Sequence, residues 1–259
     1  MDKKLQGKVA IVTGSDSGIG QGIAIEFAKQ GANVVVCYHT DKDGAEDTAK
    51  TIQSHGQKAL VTKVDVSDEA SIQQLFDATF KEFQTVDILV NNAGTNGPGK
   101  PLVEMEAKDF DDVIKTNLYS AFYTCKLFGA YRIKQGGGGK IINITSIHED
   151  VASKNGSAYN ASKGALKNLT RTLALELAEY QINVNNIGPG MIVTPINPDL
   201  MESKEALKEK GEKVPWKRAG YPDELGKLAV FLASEDADYV TGSSYFMDGG
   251  LMRQMGAEI

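Results

Sequence analysis

Short apolar runs rich in valine and isoleucine recur along the chain, at residues 8–13, 33–37, 58–64, 87–90, 140–144, 183–187 and 244–247. They are too short for helices and too uniformly apolar for half-exposed strands, which predicts parallel strands covered on both faces. Between them, apolar residues fall at helical spacing, as in Ile19, Ile23 and Phe27, or Ile72, Leu75, Phe76, Phe80 and Phe83. Parallel crossovers are right-handed and both sheet faces need helices. The alternation therefore predicts one α/β domain over residues 1–259, built on a doubly wound parallel sheet of about seven strands.

Two segments break the rhythm. The glycines at 136–139 separate a helical pattern from a strand and predict a flexible surface turn. Residues 189–215 hold four prolines and a charged, helix-like stretch at 202–212, the profile of a lid over a substrate site.

Composition narrows the function classes. The 259 residues are 41% hydrophobic with a formal charge of −6 and no long run of one sign. That argues against a surface that tracks nucleic-acid phosphates or an anionic membrane. The N-terminal segment lacks the apolar core of a signal peptide and no stretch is long enough to span a bilayer, so the expectation is a soluble, cytoplasmic protein. Cys37 and Cys125 are too few and too far apart for a disulfide framework or a zinc site, and no metal is expected.

The chemistry lies in three places. The first strand runs into Thr13-Gly14-Ser15-Asp16-Ser17-Gly18-Ile19-Gly20 and then a helix. A dinucleotide pyrophosphate needs a tight turn, close backbone approach and free N–H groups at a helix N-terminus, all of which these glycines permit. An ordinary strand-to-helix turn would tolerate the same cluster. The fourth strand ends in Asn91-Asn92-Ala93-Gly94, where small residues leave room for a flat ring or simply form a turn. After the fifth strand comes Ser146, then Tyr159 thirteen residues on and Lys163 four beyond it. Tyrosine and lysine at that spacing share a helix face. An ammonium beside the phenol, with a cationic nicotinamide, would lower a phenol pKa of about 10 toward neutrality. The isolated pair is also common on surface helices.

Together, these motifs resemble the short-chain dehydrogenase/reductase family over essentially the whole chain, with Rossmann-type topology. Thr13 to Gly20, Asp65-Val66, Asn91 to Gly94, Asn117, Ser146, Tyr159, Lys163 and Pro189-Gly190 match its pattern in order and spacing. The resemblance implies a catalytic tetrad. Tyr159 is the general acid or base, Ser146 holds the substrate oxygen, Lys163 lowers the tyrosine pKa and holds the nicotinamide ribose, and Asn117 keeps a water in the proton relay. It also implies cofactor contacts from Gly14, Ser15, Ser17, Gly18, Ile19 and Gly20. Asp65, Val66, Asn92, Ala93 and Gly94 belong to the same set, with Pro189, Gly190, Ile192 and Thr194 lining the nicotinamide and diphosphate.

Cofactor choice rests on Cys37, Tyr38, His39 and Thr40 after the second strand. Cys37 and Tyr38 stand where an acidic residue would select NAD, and His39 and Ser17 stand where a basic residue would select NADP. Ser15, His39, Thr40 and Lys42 would hold a phosphate and Asp16 would oppose it, so the expectation is NADP or NAD with NADP slightly favoured.

Within the family the chain is most similar to bacterial glucose 1-dehydrogenases, through Ile147-His148-Glu149, through residues 185–197, and through Tyr239-Val240-Thr241-Gly242. A sugar or polyol would meet His148, Glu149, Asn96 and Asn197 beside Ser146 and Tyr159. The bulky residues of that subgroup are replaced here by 150–158, a smaller and more polar stretch, and Asn96 stands in place of a glutamate. The same tetrad serves 3-oxoacyl thioester reductases, and a nucleotide-binding regulator is the reading from another class. The resemblance further implies a homotetramer with Phe122, Phe128, Leu166, Leu169 and Leu173 in one contact.

Overall fold

The computed structural model describes residues 3–201 and 203–254. Seven parallel strands form one sheet: β1 (Val9–Val12), β2 (Asn33–Tyr38), β3 (Ala59–Lys63), β4 (Ile88–Asn91), β5 (Gly139–Ile144), β6 (Ile182–Pro189) and β7 (Ser244–Met247). Their order is β3-β2-β1-β4-β5-β6-β7. All seven predicted runs are strands, with ends displaced by at most two residues because hydrogen-bonding partners, not composition, set where a strand stops.

Helices α1 (Gly18–Lys29), α2 (Lys42–Ser54), α3 (Glu69–Phe83), α4 (Ala107–Ile114), α5 (Ser120–Lys134), α6 (Ser157–Leu177), α7 (Lys204–Gly211), α8 (Pro222–Ala233) and α9 (Leu251–Gln254) make up the rest. One core, around Val12, Ile23, Phe27, Val36, Val90 and Leu225, lies under α1 and α8. The other, around Ile11, Val35, Leu75, Phe76, Leu89 and Phe128, lies under α3 and α5. Neighbours such as Ile11 and Val12 point to opposite cores, which is why the strands read as unbroken apolar runs. Each such side chain, once fully buried, contributes roughly 1.5–3 kcal/mol.

Three local expectations are corrected. The turn at 136–139 is tied down rather than free: Gly138 N–H donates to Tyr180 O at 2.6 Å, and Arg132 donates to the carbonyls of Gly137 and Gly138. In the charged insert, α7 begins at Lys204 and Glu202 lies outside the described residues. Phe128 and Leu166 are buried within the subunit at 0% and 2% exposure and are not available to a partner. Period-3.6 spacing does not say which side of an all-apolar helix stripe meets the sheet.

Ligands of such sheets bind beyond the strands' carboxyl ends where the strand order reverses, here between β1 and β4. The Gly14 turn leaves β1 and Asn92-Ala93-Gly94 leaves β4, so the topology places both at that crevice.

Candidate active site

The crevice is a cavity of about 1150 Å³, and its floor is built from the first turn. Gly14 and Gly18 adopt φ of +59° and +56°, the left-handed region that glycine enters without steric cost. Ser17 then caps α1 without using its side chain, and no acidic residue occupies the helix's first turn. The N-terminal N–H groups of α1 thus face the cavity with nothing anionic beside them in that turn, a cradle that fits a pyrophosphate. Gly20 answers a different need. A Cβ there would lie 2.1 Å from Gly14 O and 2.5 Å from Asn92 Nδ2, so the helix packs onto the turn only without one.

Asn92 fastens this turn to β4, its Nδ2 donating to Thr13 O at 2.9 Å and Gly14 O at 2.8 Å. Thr13 Oγ1 accepts from the N–H groups of Asn92 and Ala93 in return. Ser15 is not a phosphate ligand. It is fully buried, its hydroxyl donates to Val12 O and accepts from Cys37 N, and its own N–H is bound to Cys37 O. The residue pins β1 to β2, a role that its place in a glycine-rich turn concealed. Gly20 likewise is buried away from the cavity.

Along the adenosine end the cavity is lined by Asp16, Ser17, Tyr38, His39, Thr40 and Asp65, with Val66 beside them. Lys42 is not among the lining residues. Burial, with Asp41 nearby, raises the Asp16 carboxyl above the usual carboxylate range. Asp65 is lowered, chiefly by the hydroxyl and N–H of Ser67, and His39 Nε2 stands 3.9 Å from its carboxylate. At the other end Ala93, Gly94, Pro189, Gly190, Ile192 and Thr194 line the cavity.

Ser146, Tyr159 and Lys163 meet on one wall. Ser146 follows β5 by two residues and caps the short turn Ile147–Glu149, its Oγ accepting from His148 N at 3.1 Å. Tyr159 and Lys163 project from the first turns of α6. The Lys163 Nζ lies 5.6 Å from the Tyr159 ring centroid and donates to Ile144 O at 2.9 Å. Burial raises the phenol, and the Ser146 hydroxyl directed at it works against that rise. The ammonium stands over the ring and toward a β5 carbonyl rather than at the phenol oxygen. Burial also draws Lys163 down to about 8, with Glu149 opposing.

Around this wall lie His148, Asn96 and Asn197. His148 Nδ1 sits 2.8 Å from Val151 O, and a carbonyl only accepts, so Nδ1 carries a proton there. Asn197 Nδ2 donates to Ile192 O at 3.0 Å. Glu149 corrects the sequence reading, since its side chain is 0% exposed and does not line the cavity. Asn117 is also turned away, on the π-helical turn Lys115–Tyr119 between α4 and α5. Its amide donates to Thr95 O and Ser162 Oγ and accepts from Thr95 N, tying the loop after β4 to α6.

Sequence reasoning missed a buried polar ladder beneath the site. Asn91, Asn143, Asn186 and Ser244 are register partners across β4, β5, β6 and β7. Thr124 donates to Asn91, Asn91 to Asn143, Asn143 to Thr170, Thr170 to Asn186 and Asn186 to Ser244, over 2.6–3.0 Å. The available signal was asparagine in three largely apolar strands: Asn91 at the end of β4, Asn143 in β5, and Asn183, Asn185 and Asn186 in β6.

A dinucleotide cradle ending at a serine, a tyrosine and a lysine defines a nicotinamide-dependent oxidoreductase site. A family model described as Enoyl-(Acyl carrier protein) reductase matches residues 14–252. Glucose 1-dehydrogenase 2 of Bacillus subtilis is 41% identical over 251 residues, 97% of each chain. Acetoin dehydrogenase from Enterobacter cloacae superposes with a TM-score of 0.87 at 37% identity, covering 96% of each chain. A gluconate 5-dehydrogenase from Burkholderia cenocepacia, in complex with NADP and tartrate, gives 0.88 at 33% identity over 97% of this chain and 98% of that one. The chain belongs to the short-chain dehydrogenase/reductase family and is an NAD(P)-dependent oxidoreductase acting on alcohol and carbonyl groups.

Proposed function

We propose that the protein interconverts a polyhydroxylated alcohol, a sugar or polyol, and its carbonyl form. The supporting observation is the polar surround of Ser146 and Tyr159, in which His148, Ser153, Asn96, Asn155 and Asn197 line the cavity. A substrate with several hydroxyls satisfies such groups, whereas an acyl chain would leave them unpaired. The names of the glucose and gluconate enzymes to which the chain is similar point the same way.

The nicotinamide, when bound, supplies or accepts the hydride. Tyr159 Oη exchanges a proton with the substrate oxygen, and Ser146 Oγ hydrogen-bonds that oxygen as charge develops on it. Lys163 holds positive charge behind the phenol, favouring its ionised form during alcohol oxidation. Asn117 serves the proton relay by holding the loop after β4 against α6. Residues 189–215, which contribute Pro195, Ile196 and Leu200 to the cavity, act as the lid.

For the cofactor, Ser17, His39 and Thr40 are the groups suited to a 2′-phosphate, with Asp16 and Asp65 opposing it. Without Ser15 and Lys42 the preference for NADP is weaker than the sequence predicts, and either cofactor serves. Tyr119 just before α5, Phe122 on α5 and Leu175 on α6 are 47%, 45% and 82% exposed, which supports a homotetramer built on those helices. Among the described residues no helix is long and apolar enough to cross a membrane.

The test is initial-rate nicotinamide absorbance with glucose, other aldoses, polyols, aldonates and a 3-oxoester, each with NAD(H) and NADP(H). Turnover of an aldose, polyol or aldonate is expected. Turnover confined to the 3-oxoester refutes the reading.

A further inference from the structure

Tyr159, Lys163 and Lys167 follow one another at four-residue steps along α6 and form one stripe on the helix. Glu149 packs against that stripe from the short turn after Ser146. Its side chain is 0% exposed, and among the described residues neither carboxylate oxygen has a hydrogen-bond partner. The Lys167 Nζ lies 3.7 Å from Oε1, yet its hydrogen bond goes to Asp150. A carboxylate taken out of water without hydrogen bonds persists only where cations face it.

The second cation is one turn along the stripe. Lys163 is 5% exposed, and its ammonium donates to a single protein carbonyl, that of Ile144. The elements packed on α6 offer other charged groups: Lys108, Asp109, Asp111 and Asp112 on α4, Lys115 and Tyr119 on the π-helical turn, and His148 and Asp150 around the Ile147–Glu149 turn. Strand β6 contributes no titratable side chain. Among these, Glu149 is the charge that acts on the Lys163 ammonium, against the burial that draws it down to about 8, whereas the Tyr159 phenol answers to burial and Ser146.

Resting on the roles given above to Tyr159 and Lys163, we propose that Glu149 is a positioning residue whose buried carboxylate keeps Lys163 charged behind the catalytic tyrosine, with Lys167 sharing that carboxylate and so limiting its pull. The carboxylate never meets substrate. Glu149 acts through Lys163, and its burial serves this purpose because water would screen the interaction.

The experiment reads Lys163 directly in the cofactor-free protein, by competitive acetylation across neutral to alkaline pH and mass spectrometry of the peptide containing it. In Glu149→Gln the midpoint of Lys163 reactivity should fall by roughly one pH unit, the scale of losing one nearby buried charge. The alkaline limb of turnover should fall with it. Glu149→Asp should lie between wild type and the glutamine variant. Lys167→Gln, which leaves Glu149 to Lys163 alone, should raise the midpoint and remains readable if the Glu149 variants fail to fold. An unmoved midpoint in Glu149→Gln, or a midpoint that falls or stays in Lys167→Gln, overturns the proposal. Failure of the functional reading shows elsewhere: the midpoints would move as stated while the wild-type protein turned over no substrate in the panel.

Discussion

Replacing Asn143 with alanine tests whether the buried ladder is a stability element of the site. Asn143 is fully buried between Asn91 and Thr170, accepting from one at 2.8 Å and donating to the other at 2.7 Å. Alanine strands the Asn91 Nδ2 donor, which keeps only a weak contact to Cys125 Sγ at 3.4 Å. An orphaned buried donor costs about 1–3 kcal/mol. Thr170 loses a donor but still donates to Asn186, and the small cavity adds roughly 0.5 kcal/mol. The total is about 1.5–3.5 kcal/mol, which for a chain of this length lowers the thermal midpoint by roughly 3–14 °C. The assay is thermal unfolding of the cofactor-free protein, in a cycle with Asn91→Ala and the double variant. The double variant should lose less than the sum, because removing both partners leaves no stranded amide between them. A midpoint change within about 2 °C, below the cost of one orphaned donor, would refute the reasoning, as would strict additivity. Asn143 lies three residues before Ser146 on β5, so kcat should fall along with stability.

Other expectations are independent of the ladder. Tyr159→Phe should reduce kcat by at least roughly a hundredfold while cofactor affinity stays close to wild type, measured by turnover and by quenching titration with NADPH. Gly20→Ala should weaken cofactor binding and lower the thermal midpoint together, since its Cβ would sit 2.1 Å from Gly14 O and push α1 off the turn. Glu224 accepts from both terminal nitrogens of Arg218 and from Tyr221 N, and chiefly the Arg218 bonds hold its carboxyl at about 2. A carboxyl lowered on folding contributes stability above its unfolded pKa and loses that contribution as pH falls through the folded value. Glu224→Gln should therefore cost about 1 kcal/mol at neutral pH, an amount discounted for solvent screening, with the gap to wild type closing between about pH 4 and pH 2 in urea titrations.

The seven strands, the parallel order and the crevice were legible in the chain because a strand buried on both faces is apolar at most of its positions, a pattern amphipathic helices do not share. The Gly14, Asn92 and Ser146 positions were legible for a related reason, since each follows a strand's carboxyl end, and Tyr159 and Lys163 were legible from the helix face they share. Tertiary structure decided what the neighbours do. Ser15 sits among cavity residues in sequence, yet its hydroxyl is spent joining two strands. Glu149 follows His148 directly, but the tight turn sends one side chain to the cavity and the other into the protein. Asn91, Asn143 and Asn186 lie far apart along the chain and meet only through the register of β4, β5 and β6. The charge state around Tyr159 likewise depends on how deeply α6 is buried and which carboxylate faces it, quantities set by packing between distant segments. Local spacing fixes which residues share a strand or helix face, and only the assembled fold fixes what that face meets.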